Sequence, residues 1–278
     1  MTKTILITGC SSGIGYCVAK GLRERGYRVF ATARKRDSVE SLLTEGFESF
    51  RLDLNDSNSI HFAFEETLRR TGGELYALFN NGAFGLPGAV EDLHRDALRA
   101  QFETNVFGWQ ELTNLAVPVM RKQGYGRIIQ NSSVLGFVAL PFRGAYNASK
   151  YAIEGLSDTL RLELRGSNVY VSLIEPGPIA SKFRANAVEA LAKYIDIENS
   201  FHREKYQGVL ARLNKPGPVV PFTLPPEAVL KRVIHALEAE NPKPRYYVTV
   251  PTYLFGFLKR ILSTRALDVL LAKSGNSN

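Results

Sequence analysis

Along the first two thirds of the chain, short apolar runs of the strand type alternate with segments in which apolar residues recur at helical spacing. Short runs rich in β-branched and aromatic residues have the length of buried strands, at residues 4–8, 28–32, 49–52, 75–79, 127–131 and 169–174. Between them apolar residues recur at helical spacing, as Ile14, Val18 and Leu22 do, and further helices are predicted at 38–45, 57–70, 98–121 and 146–164. Because parallel strands need crossover connections, this alternation predicts an α/β fold with a doubly wound parallel sheet covered on both faces.

The pattern loosens after residue 179. Helices are predicted at 181–194, 198–213 and 226–240, with a Pro-rich loop at 216–226 and a last strand at 246–250. Residues 179–225 are expected to form a helical insertion at the substrate site, either a lid or a packed helical pair. Apolar residues on one face of 254–272, with basic residues between them, predict a C-terminal amphipathic helix within 251–273.

Composition limits the class of protein. The 278 residues are 45% hydrophobic and 22% charged, and no linker or repeat divides them, so we expect one domain over residues 1–278. Cys10 and Cys17 fall in one loop–helix unit, and the four histidines lack ligand spacing, so neither a disulfide framework nor a metal site is expected. The first apolar run is too short for a signal peptide, which favours a cytoplasmic location.

The net charge of +8 is compatible with a nucleic acid, an anionic membrane or an anionic cofactor. No nucleic-acid motif is present, and we expect no such partner. A weak peripheral membrane contact through the C-terminal helix is one expectation. The uncharged run at 246–258 is shorter than the ~20 residues of a spanning helix, so no transmembrane segment is expected.

A glycine-rich turn follows the first strand. Gly9, Gly13 and Gly15 precede the helical pattern that contains Ile14. Such a turn presents backbone N–H groups and the positive end of a helix to a phosphate, as dinucleotide-binding (Rossmann-like) folds do. The spacing Gly-x-x-x-Gly-x-Gly differs from the commoner Gly-x-Gly-x-x-Gly.

The second strand ends at Ala33-Arg34-Lys35-Arg36, where many dinucleotide folds have a carboxylate for the ribose 2′-hydroxyl. Three cations and no carboxylate favour a 2′-phosphate, and the planar guanidinium of Arg34 suits its oxygens. Ser12 and Lys35 are expected to assist. NADP(H) is therefore the predicted cofactor, and a plain basic surface turn is the alternative.

Tyr146 and Lys150 are four residues apart and share one face of the predicted helix. A cation beside a phenol lowers its pKa from roughly 10 and makes it a better acid–base catalyst. Ser133, at the end of the fifth strand, is placed to hold a substrate oxygen. Each feature alone has an ordinary explanation: a chance pair on a solvated helix, or a serine that caps a turn.

Other polar residues lie where ligands bind at the carboxyl ends of parallel strands. Asp53 and Leu54 are placed to contact adenine, although Asp53 equally suits a helix cap, and Asn81-Gly82-Ala83 follow the fourth strand. Asn105 within a predicted helix needs a kink with a water, or a polar partner.

Taken together, these motifs resemble the short-chain dehydrogenase/reductase family, from about Thr4 to Ser181. The resemblance implies a catalytic tetrad of Asn105, Ser133, Tyr146 and Lys150, in which Asn105 holds a water of a proton relay and Lys150 binds the nicotinamide ribose. It also implies that residues 176–179 pack beside the nicotinamide. The full predicted cofactor site is Gly9, Ser11, Ser12, Gly13, Ile14, Gly15, Arg34, Asp53, Leu54, Asn81, Gly82, Ala83, Tyr146, Lys150, Pro176, Gly177, Ile179 and Ser181.

One departure from the family pattern concerns the turn after the fourth strand. The family usually has Asn-Asn-Ala-Gly, whereas this chain has Asn80-Asn81-Gly82-Ala83. An alanine at the last position is expected to crowd a turn that glycine normally occupies, and the sequence leaves open what this exchange does to the cofactor contacts of residues 82 and 83.

The chain is most similar to bacterial oxidoreductases related to retinol and hydroxysteroid dehydrogenases, which implies a small lipophilic substrate and a homodimer or homotetramer. The predicted apolar lining is Phe84, Leu86, Pro87, Val134, Leu140, Phe142 and Phe183. The predicted function is NADP(H)-dependent hydride transfer to or from a lipophilic carbonyl or alcohol. The alternatives are a non-catalytic dinucleotide sensor and a membrane-associated protein on the same fold.

Overall fold

A parallel sheet forms the centre of the molecule in a computed structural model, which describes residues 2–217 and 220–276. Within these residues the sheet has seven strands in the order β3-β2-β1-β4-β5-β6-β7, and every neighbouring pair is parallel. The strands are β1 (Thr4–Ile7), β2 (Arg28–Ala33), β3 (Glu48–Arg51), β4 (Ala77–Asn80), β5 (Gly126–Asn131), β6 (Val169–Glu175) and β7 (Arg245–Tyr247). The doubly wound, Rossmann-like sheet predicted from the sequence is confirmed.

Helices cover both faces of this sheet. They are α1 (Gly13–Glu24), α2 (Arg36–Thr44), α3 (Ser57–Thr71), α4 (Arg95–Phe102), α5 (Gly108–Gln123), α6 (Gly144–Glu163), α7 (Phe183–Tyr194), α8 (Arg203–Asn214), α9 (Glu227–Glu238), α10 (Val250–Ile261) and α11 (Thr264–Asn276). Successive strand residues point to opposite faces, so Ile5 and Ile7 pack under α1 and α9. Leu6 packs on the other side with Trp109 of α5. Both faces are apolar, which explains why the strands are continuous apolar runs.

The helix predicted at 98–121 is interrupted. A π-helical turn, Glu103–Phe107, separates α4 from α5 and contains Asn105, which is fully buried. Its amide donates to the Phe84 carbonyl at 2.9 Å and to Ser149 Oγ at 3.2 Å, and its oxygen accepts from the Phe84 N–H. The expected kink and the expected polar partners are therefore both present at this asparagine.

The insertion after β6 is closed at its base, because Ile179 pairs with Leu224 through an isolated bridge. Its helices α7 and α8 pack together around the fully buried Tyr206, whose hydroxyl donates to Asp92 at 2.6 Å. Of the predicted alternatives, the packed helical pair describes this region. Residues 218 and 219 of the predicted Pro-rich loop lie outside the described residues.

The C-terminal stretch is helical, but the prediction of one continuous helix is wrong. Leu262 has extended backbone angles after α10, and the Ser263 hydroxyl accepts from the Ala266 N–H at the start of α11. Leu271 of α11 packs against Leu135 and Val138, whereas Phe257 of α10 is exposed. None of the described helices is long and apolar enough to cross a membrane.

A buried ionic network connects α6, β6 and β7. The Arg245 guanidinium contacts the carboxylates of Glu154, Glu175 (2.7 Å) and Asp158 (2.6 Å). Glu175 is fully buried, and burial together with repulsion from Glu154 raises its pKa to about 8. One guanidinium thus faces two buried carboxylates, and a proton held by Glu175 balances the charge.

This network predicts a pH-dependent stability. The pKa of Glu175 is raised from its ordinary value of 4.5 to about 8, so its stabilising contribution is complete below pH 4.5 and is lost as the pH rises through 8. Glu175→Gln keeps the shape without the titration, and should flatten the fall in unfolding free energy between pH 5 and 8. One proton corresponds to ~1.4 kcal/mol per pH unit at most.

Urea unfolding across this pH range measures the effect. The exposed Glu65→Gln is the matched control and should keep the wild-type slope. An unchanged slope in Glu175→Gln would show that this carboxyl is already ionised at pH 5.

Candidate active site

A crevice lies at the carboxyl ends of β1 and β4, where the chain reverses its direction of progress across the sheet. Gly9 leaves β1 with φ of +72°, and a Cβ on it would lie 2.5 Å from the Gly82 Cα. A Cβ on Gly15 would lie 2.3 Å from the Gly9 carbonyl oxygen. Only glycines allow the two loops and the start of α1 to approach this closely.

The start of α1 fits the pyrophosphate of a dinucleotide. Ser12 is its N-cap residue but makes no side-chain cap hydrogen bond, so the first N–H groups of the helix remain free of a side-chain acceptor. Ser11 is exposed beside it, and Ile14 packs into the core underneath. Ser181 crosses from the loop after β6, and a Cβ on Gly13 would lie 3.1 Å from its Cβ.

A chain of hydrogen bonds connects this glycine turn to Lys150. The Asn81 amide donates to the Thr8 carbonyl at 2.9 Å and to the Gly9 carbonyl at 3.2 Å. Asn131 Nδ2 donates to Asn81 Oδ1 at 2.9 Å, and Lys150 Nζ donates to the Asn131 carbonyl at 2.7 Å. The cofactor turn and the lysine are therefore held in one rigid arrangement.

The exchanged pair Gly82-Ala83 causes no strain. The Gly82 N–H donates to Thr8 Oγ1 at 2.9 Å, and its carbonyl accepts from Trp109 Nε1 at 2.7 Å. Among the described residues, non-glycine residues with positive φ are Phe142, Asn168 and Phe222. Ala83 is not one of them, so the expectation that it crowds the turn is wrong. The contacts of both residues with a cofactor remain predictions.

The adenosine end of the crevice contains Asp53, Leu54 and Arg34. Asp53 accepts from Asn55 N–H at 3.2 Å and forms an ion pair with Arg51. The N-cap of α3 is Asp56, so the alternative that Asp53 caps this helix is wrong. Leu54 is 8% exposed and lies behind Gly82. Arg34 is exposed, and in the part of the chain described its guanidinium makes no hydrogen bond or ion pair.

The loop after β6 completes the crevice on its other side. The Pro176 carbonyl accepts from Val134 N–H at 2.8 Å, which places this loop beside Ser133. Gly177 packs so closely on Thr249 that a Cβ would lie 2.1 Å from its hydroxyl oxygen. Ile179, through its bridge to Leu224, fixes the end of the loop.

Tyr146, Ser133 and Lys150 come together as the sequence predicted. Lys150 Nζ lies 5.6 Å from the Tyr146 ring centroid, one turn along α6. Ser133 accepts from the Leu135 N–H at 3.1 Å and donates to the Pro176 carbonyl at 3.5 Å, and its side chain acts to lower the pKa of Tyr146. Ser133 is therefore a turn cap beside the tyrosine, and its hold on a substrate oxygen stays a prediction.

The lowered pKa expected for Tyr146 is not found, because burial outweighs the nearby positive charges. Burial raises the pKa of Tyr146 to about 12, although the Ser133 hydrogen bond and the charge of Arg143 act to lower it. Burial also lowers the pKa of Lys150 to about 7, with Glu154 acting in the opposite direction. Lys150 is thus only about half charged at neutral pH, and its charge is not the main influence on the pKa of Tyr146.

Above Tyr146 lies a cavity of about 10 Å³, about the room for one water molecule. The cavity residues are Gly85, Leu86, Pro87, Arg143, Tyr146, Phe183 and Ala187. The Phe183 ring packs edge-on against Tyr146, with centroids 5.4 Å apart. The Phe183 ring therefore closes one side of the space above Tyr146.

The remaining residues of the predicted apolar lining lie elsewhere. Phe142 packs against Tyr206 and His202 inside the insertion, and Phe84 belongs to the same cluster. Val134 and Leu140 form a second apolar wall beside Tyr146, together with residues of α10 and α11.

Sequence reasoning missed Asn131, Arg143 and the C-terminal wall. Asn131 is a polar residue at the end of a buried strand, and Arg143 directly precedes the stretch that contains Tyr146. Both positions could therefore have been recognised in the sequence as candidate site residues. Leu271, however, reaches the site only through tertiary packing.

Comparison with known proteins agrees with this geometry. The family model described as "short chain dehydrogenase" matches residues 3–192. A relative from Escherichia coli K12, "Uncharacterized oxidoreductase YbbO", is 42% identical over 271 residues, covering 98% of this chain and 94% of the relative. An "NADPH-dependent 3-dehydrocapnine reductase" from Ornithobacterium rhinotracheale is 31% identical, covering 96% and 95% of the two chains.

A short-chain dehydrogenase structure from Streptomyces avermitilis superposes with a TM-score of 0.79 at 27% identity, covering 96% of this chain and 94% of that one. With the parallel sheet, the glycine turn and the Tyr146–Lys150 pair, these matches define the class. The chain belongs to the short-chain dehydrogenase/reductase family and is an oxidoreductase of that family.

The approach of Gly9 to Gly82 predicts a large effect of a single methyl group. Gly9→Ala combines an unfavourable positive φ with overlap on the Gly82 backbone, whereas Gly26→Ala has a similar φ of +86° and no atom within 4 Å. Gly26→Ala should lose ~1 kcal/mol of unfolding free energy, and Gly9→Ala a further ~1–3 kcal/mol from overpacking.

Urea unfolding of the two variants beside the wild type measures both losses, and cofactor titration should show weaker binding only for Gly9→Ala. Equal losses of stability in the two variants would contradict a close contact between the loops.

Proposed function

We propose that this protein is an NADP(H)-dependent oxidoreductase that transfers hydride between the nicotinamide and a lipophilic aldehyde, ketone or alcohol, with Tyr146 as general acid and base. The observation that carries the proposal is the cluster of Tyr146, Ser133 and Lys150 at the crevice formed by the glycine turn. A sensor that only binds dinucleotides has no need of this cluster.

The residues divide the chemistry as follows. The nicotinamide, when bound, supplies or accepts the hydride. In reduction, the Tyr146 hydroxyl gives its proton to the carbonyl oxygen, and Ser133 holds that oxygen by a hydrogen bond. A phenol with a pKa of about 12 is protonated at neutral pH and so begins as a proton donor. In oxidation the phenolate is needed, and the positive charges of Lys150 and Arg143 favour it.

Lys150 also positions the cofactor side of the site. Its ammonium donates to the Asn131 carbonyl and lies 4.2 Å from the Trp109 ring centroid, so its side chain is fixed between α5 and β5. Asn105 anchors the Phe84 backbone to α6 through Ser149. The water-holding role that the family resemblance gives Asn105 remains part of the proposal.

Preference for NADP(H) rests on the end of β2. Arg34 is exposed, has no ionic partner among the described residues and is followed by Lys35 and Arg36. A guanidinium that is not occupied by a carboxylate is available for a 2′-phosphate. The Ornithobacterium relative is NADPH-dependent by name, which supports this choice.

A lipophilic substrate is supported by two apolar walls beside Tyr146. One consists of Leu86 and Phe183, and the other brings Leu271 of α11 against Leu135. Binding of an alkyl chain along such walls gains about 25 cal/mol per Å² of apolar surface removed from water.

Tyr146→Phe tests the catalytic assignment. This substitution removes the proton donor and keeps the ring that packs on Phe183, so kcat with NADPH and a medium-chain aldehyde should fall by ~10²–10⁴-fold. The dissociation constant for NADPH, followed by its fluorescence, should change little. Activity of Tyr146→Phe within about twofold of the wild type would refute the role of Tyr146. A wild-type protein that binds NADPH without any turnover would favour the alternative function, a non-catalytic dinucleotide sensor.

Arg34→Ala tests the cofactor choice. Loss of charge-assisted hydrogen bonds worth ~1.5–3 kcal/mol should lower kcat/KM for NADPH by about 10- to 150-fold and change that for NADH much less. Arg99→Ala is the control, because Arg99 is exposed and its ion pair is with Asp96 on the same helix. Equal losses for both cofactors would assign Arg34 a structural role, and a wild-type preference for NADH would overturn the choice of NADP(H).

A further inference from the structure

Arg143 and, close to it, Arg212 have no acidic partner within the part of the chain that the structure describes. Arg143 lines the cavity above Tyr146, and Arg212 of α8 lies close enough for repulsion between the two guanidinium groups to lower the pKa of Arg143. Burial is the larger cause and brings that pKa to about 10. Within residues 2–217 and 220–276, neither guanidinium makes a hydrogen bond or an ion pair.

Asp92 and Glu91, which contact side chains of the insertion, have other partners. Asp92 accepts hydrogen bonds from Tyr206 and Ser200, at 2.6 and 2.7 Å. Glu91 forms an ion pair with His202. These two carboxylates connect the segment before α4 to the insertion, and neither of them pairs with Arg143.

A third arginine adds to the positive charge of this region. Arg184 of α7 donates to the carbonyl groups of Arg212, Lys215 and Gly217 at the end of α8, so its position is fixed. Its charge also acts, after burial, to lower the pKa of Arg212. Three guanidinium groups thus face one region of the insertion, and Arg143 is the one that borders the cavity.

Both guanidinium groups are partly buried and have no counter-ion among the described residues, which favours the binding of an anion beside them. The guanidinium fork matches the oxygens of a carboxylate, phosphate or sulfonate, which it binds through two parallel hydrogen bonds. Leu86 and Phe183, which also line the cavity, are apolar. The site therefore combines an anion-binding side with an apolar side.

Building on the proposed function, we propose that Arg143, supported by Arg212, binds an acidic group of the substrate. The substrate class is then an amphipathic ketone, aldehyde or alcohol, with an apolar chain and an anionic group a few bonds from the reacting carbon. Arg143 acts as the residue that selects charged over neutral carbonyl compounds, and Tyr146 performs the proton transfer on both.

The test compares 4-oxododecanoate with its methyl ester, which has the same chain and carbonyl but no charge. Wild-type kcat/KM with NADPH should be at least tenfold higher for the acid. Arg143→Met should lower the acid-to-ester ratio by about 10- to 150-fold, the equivalent of ~1.5–3 kcal/mol. Arg212→Met should lower the acid-to-ester ratio by a smaller factor, because Arg212 adds positive charge beside Arg143 but does not line the cavity.

Arg203→Met is the matched control, since Arg203 is an exposed arginine of the same insertion paired with Glu198, and the ratio should not change. Competitive inhibition by dodecanoate, dodecyl phosphate and dodecyl sulfonate then identifies which anion the site prefers. If Arg143→Met does not fold, the wild-type ratio and Arg212→Met decide the question.

A wild-type ratio of one or less overturns the inference. So does an equal loss on acid and ester in Arg143→Met, which would mean that Arg143 serves Tyr146 alone. Turnover of the ester and of 4-dodecanone leaves the proposed function intact in either case. Absence of turnover with every one of these carbonyl compounds would instead refute the proposed function.

Discussion

The backbone contact between the ends of β1 and β4 is the constraint on which the active site depends. A Cβ on Gly9 would lie 2.5 Å from Gly82, so these loops meet without side chains between them. That contact lets Asn81 bond to the Gly9 carbonyl and, through Asn131, position Lys150. Cofactor turn and catalytic helix are consequently parts of one hydrogen-bonded unit, and a displacement of either changes both.

Burial is the largest influence on the ionisable groups of this site. It raises the pKa of Tyr146 to about 12 and lowers that of Lys150 to about 7, which is opposite to the effect of simple attraction between them. In a medium of low dielectric constant the same charges act more strongly once they are present.

The surroundings of Tyr146 include parts of the chain that lie outside the sheet. The insertion supplies Phe183 and brings Arg212 close to Arg143, and the C-terminal helices supply Leu271. In the proposed function, the sheet and glycine turn position the cofactor and the tyrosine, and these peripheral helices select the substrate. Such a division is one way in which a single fold serves enzymes with different substrates.

The sequence alone determined the parallel sheet, the glycine turn and the Tyr146–Lys150 pair, because each depends on local period or spacing. The break between α10 and α11 was missed because the apolar pattern continues across it. Ser263, which directly precedes α11, was a local signal of a new helix. Only the tertiary structure decided the pKa of Tyr146, the absence of strain at Ala83 and the pairing of Arg245 with two buried carboxylates. These properties arise from burial and from contacts between residues far apart in sequence, which no local pattern encodes.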